Sequence, residues 1–100
     1  MTDNNKEPWI GVDLDCTLAK FDGWTSATDI GEPIPLMVNR VKEWRKNGVN
    51  VKIFTARIDL PDEDLLVQTV YAIQSWCKKH IGEVLPITDR KDDAMIMIWD

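Results

Sequence analysis

The segment Trp9–Thr17, WIGVDLDCT, constrains the chain most: an apolar run that must be buried ends in two aspartates that must not be. Trp9, Ile10 and Val12 read as a short buried strand. Residues i and i+2 of an extended chain share a face, so Asp13 and Asp15 crowd two carboxylates onto one spot. Like charges that close repel unless a cation or a shared proton relieves them. The pair is therefore a candidate site. An Asx-type turn at a strand end is the competing reading of the same residues. What the other elements bring to that strand end decides between them.

Residues 1–8 read as a polar, disordered lead-in closed by Pro8, and residues 9–100 as one domain. Strand one spans about Trp9–Asp15. Residues 16–35, rich in Thr, Asp, Gly and Pro, are too long for a tight turn and read as a turn plus a small hairpin, a flap over the strand end. Pro35 opens a helix with Met37 or Val38, Val41 and Trp44 or Arg45 at helical spacing, and Gly48 closes it. Val49–Thr55 is the second strand. A longer helix begins at Pro61–Asp62, with acids in its first turn as the helix dipole favours. Its apolar stripe is Leu66, Val70, Ile73, Cys77 and His80, and Gly82 stops it. Val84–Thr88 is a third strand, placed at a sheet edge by Pro86, which lacks a ladder donor. The polar turn DRKDD, with Asp92 and Asp93 capping a short helical turn, leads to Met95–Trp99, read as a strand buried on both faces. Strand, helix, strand in this order predicts parallel, right-handed units.

A hydrophobic share of 44% supplies a core for 100 residues. A net charge of −5 argues against sequence-independent binding along a nucleic-acid backbone, which needs a basic surface, and leaves open a small phosphorylated substrate approached through a metal ion. Cys16 and Cys77 lack zinc or C-x-x-C spacing and read as reduced cytoplasmic thiols. The longest apolar runs are far too short to span a bilayer. His80 reads as a helix-end residue and the tryptophans as packing, with Trp24, in the flap, the candidate for stacking.

Strand one thus ends in Asp13 and Asp15, strand two in Thr55 and strand four in Asp100, with Lys91 just before strand four. Ligands of open parallel sheets bind beyond the carboxyl ends of the strands, and this set suits phosphoryl transfer. The chain here resembles the haloacid dehalogenase-like (HAD) phosphohydrolase superfamily. Its hhhhDxDxT signature appears as Ile10–Gly11–Val12–Asp13–Leu14–Asp15–Cys16–Thr17. The second motif appears as Ile53–Phe54–Thr55, followed by Ala56 and Arg57, the third as Lys91, and the fourth as Asp100 after its apolar strand. The motifs come in the family's order and cover about residues 9–100.

The resemblance implies a three-layer, Rossmann-like α/β sandwich with a mainly parallel sheet: the minimal core, without a cap domain and without the strand that follows the fourth motif. It implies that Asp13 is the nucleophile forming an aspartyl-phosphate and that Asp15 is the general acid and base. Thr55 would bind a phosphoryl oxygen and Lys91 would neutralise charge. Mg²⁺ would be held by Asp13, the Asp15 carbonyl and Asp100. Arg57 is read as a substrate contact or as the salt-bridge partner of the acidic helix start. An uncapped site leaves the substrate open among a nucleotide, a sugar phosphate and a polynucleotide 3′-phosphate end. Family members continue past the fourth motif, so the bare edge of strand 95–99 suggests a truncated chain, a homodimer paired along that edge, or a weakened site. Two alternatives accompany the phosphatase: a receiver-like phospho-aspartate signalling module, and a non-catalytic binding protein on the same fold.

Overall fold

The structure, a computed structural model, describes residues 7–23 and 25–99, Met97 by its backbone only. Trp24 and Asp100, both singled out above, and most of the lead-in lie outside the described residues. Glu7 and Pro8, the last of the lead-in, are tied to Asn50, whose amide donates to Glu7 Oε2 and to the Pro8 carbonyl.

The elements follow as β1 (Trp9–Asp13), α1 (Pro35–Lys46), β2 (Val51–Phe54), a 3-10 turn (Ala56–Ile58), α2 (Glu63–His80), β3 (Ile87–Thr88) and β4 (Met95–Trp99). All strand pairs are parallel and the sheet order is β3-β2-β1-β4. This is an α/β fold on a parallel sheet, compatible with a Rossmann-like sandwich. Alternation along the strands sends Ile10, Val12, Val51 and Ile53 to one face. There they join Met37, Val38 and Val41 of α1 and Ile73, Trp76 and Cys77 of α2 in one core. Both helices therefore cover the same face. Among the described residues the other face carries no helix, so the expected third layer is absent there.

The reason lies in the connection from β3 to β4. Residues 89–94 run from one sheet edge to the opposite one, and six residues are too few for the helical crossover that parallel strands usually need. The segment instead straps the face of Trp9, Gly11 and Lys52. Asp92 Oδ1 accepts from Trp9 Nε1 and from the Ala94 N–H, both at 2.8 Å. The Trp9 N–H donates to the Ala94 carbonyl, and the Lys52 ammonium sits 4.5 Å from the centre of the Trp9 ring. Trp9 is thereby only 2% exposed, on a face with no helical cover. Asp92 caps a single turn here, as read from sequence: its Oδ1 takes the Ala94 N–H and its carbonyl takes the Met95 N–H.

Helix ends obey local chemistry. Asp62 Oδ1 accepts from the Leu65 N–H at the start of α2, and Lys78, Lys79 and His80 occupy its last turn. Gly48 and Gly82, at φ +80° and +103°, follow the two helices in the left-handed region. The α2 stripe differs from the expected one: the buried residues are Thr69, Ile73, Trp76 and Cys77, while Leu66, Val70 and His80 are half-buried. Thr69 can be buried because its hydroxyl donates to the Leu65 carbonyl. The first three strands are shorter than read, while β4 keeps the expected bounds. The Val49 N–H and carbonyl are taken by the Trp44 carbonyl and Arg45 Nη1, which delays the start of β2. β3 has only two residues and lies at an edge, as Pro86 required. β4 is the other edge and is not buried on both faces: a register shift beside Trp9 and Ile10 forms a bulge, and Ile96 there is 59% exposed.

Asp92→Ala should cost about 1–3 kcal/mol, because it leaves the buried Trp9 indole Nε1–H unpaired. Trp9→Phe in the same chain should recover part of that loss, and urea unfolding of the two single variants and the double variant measures the coupling.

Candidate functional site

β1 ends at Asp13, in register with Phe54 of β2, so Asp13 and Thr55 finish neighbouring strands at the same end of the sheet. Asp13 is half-buried. The chain then turns tightly instead of extending to Asp15. The Leu14 carbonyl accepts from the Leu18 and Ala19 N–H groups, and the Cys16 N–H donates to the Ala19 carbonyl. Cys16 takes φ +72°, a left-handed conformation costing an L-residue roughly 1–2 kcal/mol. The fully buried Leu14 and Leu18 anchor the turn, which delivers the Asp15 carboxylate beside the end of β2.

There it meets Arg57. Arg57 Nε and Nη2 donate to Asp15 Oδ2 and Oδ1, both at 2.8 Å. Arg57 Nη1 donates to the carbonyls of Ser26 (3.1 Å) and Ala27 (2.9 Å). Side-chain exposure is 4% for Arg57 and 25% for Asp15, so removing one partner of this pair is strongly destabilising, by about 3–5 kcal/mol. Thr55 is buried. Its Oγ1 accepts from the Arg57 N–H at 3.1 Å, and its own N–H donates to the Thr88 carbonyl. The hydroxyl caps the 3-10 turn and aims Arg57 back across the strand ends.

The flap is built as a short antiparallel arch. Ala19 bridges Pro33, the Lys20 N–H donates to the Glu32 carbonyl, and the Ile34 N–H donates to the Leu18 carbonyl. Gly31 has no alternative: a Cβ would lie 2.0 Å from the Lys20 carbonyl oxygen. Trp76 Nε1 donates to the Gly31 carbonyl at 2.9 Å and fastens the arch to α2. Beneath it a pocket of about 160 Å³ is lined by Lys20, Phe21, Gly23, Thr25, Asp29 and Arg57, among others.

The structure thus brings Asp13, Asp15, Thr55 and Arg57 to one end of the sheet. Lys91 lies exposed on the strap and makes no hydrogen bond or ion pair with the described residues. Asp100 lies outside the described residues. Among the described residues no group of three or more His, Cys, Asp and Glu could hold a metal ion. The donors present in kind are the Asp13 carboxylate and the Asp15 backbone carbonyl, hard oxygens suited to a cation that keeps several of its waters. The Asp15 carboxylate is engaged by Arg57. Sequence reasoning missed the Ser26 and Ala27 carbonyls, Gly31 and the Trp76 tie. Only the Gly31–Glu32–Pro33 turn signal hinted at a constrained backbone there.

Among the described residues both cysteines are free, Cys16 exposed and Cys77 buried. Trp76 packs its ring against His80, and Trp44 packs against Trp99. No described helix is long and apolar enough to cross a membrane. Comparison with protein-family models, with curated proteins and with solved structures finds no match for this chain.

Burial pushes the Cys77 thiol up to about 11, against a smaller opposing effect of the Leu85 backbone. The folded chain therefore keeps this proton where the unfolded chain loses it. Stability should be unaffected by this group below pH 9 and fall between pH 9 and 11, by roughly 2–3 kcal/mol in all. Urea unfolding of parent and Cys77→Ala across that range isolates the slope. A water-soluble alkylating reagent at pH 8 should label Cys16 alone until denaturant is added.

Proposed function

We propose that the chain is a Mg²⁺-dependent phosphomonoesterase in which Asp13 attacks phosphorus and Asp15 moves protons. What supports this is the meeting of Asp13, Asp15 and Thr55 beyond the carboxyl ends of two adjacent parallel strands, the place where open parallel sheets take their ligands. The Asp13 carboxylate takes the phosphoryl group as an aspartyl-phosphate while the leaving oxygen takes a proton from Asp15, which enters this step as the acid, its proton on a lone pair that the two Arg57 donors leave open. Asp15 then takes a proton from the water that attacks the intermediate, and phosphate departs with Asp13 restored. Splitting the reaction in this way replaces one difficult displacement with two easier ones. The Thr55 hydroxyl, which already accepts from the Arg57 N–H, keeps its own proton to offer a phosphoryl oxygen.

Mg²⁺ would be held by Asp13, the Asp15 carbonyl and Asp100, and would neutralise charge on the phosphate oxygens. Lys91 would add positive charge. The substrate would be a nucleotide, a sugar phosphate or a polynucleotide 3′-phosphate end. Free thiols fit a cytoplasmic setting.

Release of inorganic phosphate from an aryl phosphate tests the reading. Turnover should require Mg²⁺, vanish with EDTA, and fall to background in Asp13→Asn while the far-ultraviolet dichroism stays as in the parent. A well-folded Asp13→Asn protein that still turns over would end the proposal.

A further inference from the structure

Arg57 joins three pieces of chain that come from different parts of the sequence. Its N–H is held by Thr55 after β2. Nε and Nη2 hold both oxygens of Asp15 after β1. Nη1 holds the Ser26 and Ala27 carbonyls of the flap. A guanidinium is planar, so its donors turn together. If the flap lifts, Nη1 loses the two carbonyls that help to fix the guanidinium plane, and any turn of that plane also shifts Nε and Nη2 against Asp15. We infer that Arg57 is a positioning residue that clamps the flap and the Asp15 carboxylate into one unit, so that the seating of the flap fixes where Asp15 presents its proton. The catalytic half of this inference rests on the phosphomonoesterase reading; the clamp itself does not.

Lysine keeps the charge but is a point donor, unable to span two carboxylate oxygens and two carbonyls in one plane. Arg57→Lys should therefore misplace Asp15 without removing it. A poor leaving group needs the proton that Asp15 delivers, whereas a good one departs without it. Values of kcat/KM, which report the transition state relative to free enzyme and substrate, separate the two cases. In Arg57→Lys, kcat/KM should fall about 10- to 100-fold for an alkyl phosphate and within about threefold for 2,4-dinitrophenyl phosphate, since only the first depends on general-acid help. A purely structural role would lower both alike, and an equal fall overturns the positioning role.

Hydrogen exchange tests the clamp without turnover. In Arg57→Lys and in Asp15→Asn, each checked by thermal unfolding to be folded, peptides covering residues 20–32 should exchange faster than in the parent. Parent-like exchange in both folded variants overturns the clamp. A parent protein without phosphatase activity would defeat the phosphomonoesterase reading, and the exchange result would still decide the clamp.

Discussion

A carboxylate three-quarters withdrawn from water needs a partner, and Arg57 is that partner for Asp15. The neighbouring elements are arranged around this pair. The Leu14–Ala19 turn accepts a left-handed Cys16 to bring Asp15 to it. Thr55 spends its lone pair on the Arg57 backbone to aim the guanidinium. The flap supplies two carbonyls to the nitrogen that Asp15 leaves over. Asp13, one residue before the turn, remains on the strand with its geometry set by β2 alongside. Two aspartates that sequence alone shows as a matched pair are thus placed in unlike surroundings, Asp15 held by a guanidinium and Asp13 at the end of its strand.

The strand and helix order was legible because periodicity and punctuation agreed. Pro35, Gly48, Asp62 and Gly82 mark helix ends by local backbone chemistry, which needs no knowledge of the fold. The edge position of β3 also followed, from Pro86, which lacks a ladder donor. What sequence could not supply was anything set by contacts between distant residues. Nothing in the spacing of Asp15 and Arg57, 42 residues apart, announces a bidentate pair. Thr69 displaced Leu66 from the buried stripe of α2 because a backbone carbonyl one turn earlier satisfied its hydroxyl. The apolar run Met95–Trp99 suggested burial on both faces, yet composition does not reveal that a strand ends up on an edge with a bulge turning Ile96 outward. At the site, Asp13, Asp15 and Thr55 were legible as residues closing apolar strands. Arg57 was legible as a candidate and not as to its partner.

The strap over Trp9 bears on the order in which the chain assembles. β1, α1, β2, α2 and β3 pair with sequence neighbours, so each can form when its predecessor has. β4 must instead return to β1 across 86 residues, Trp9 against Met95. Closing the longest loop in the sheet carries the largest entropic penalty and gains its contacts last. The Asp92–Trp9 hydrogen bond is then the latch of the final step. The strand that flanks β1 on its second side is expected to dock onto an already folded three-stranded unit, so this side of β1 would be completed at the close of folding and be the first to loosen when the protein opens.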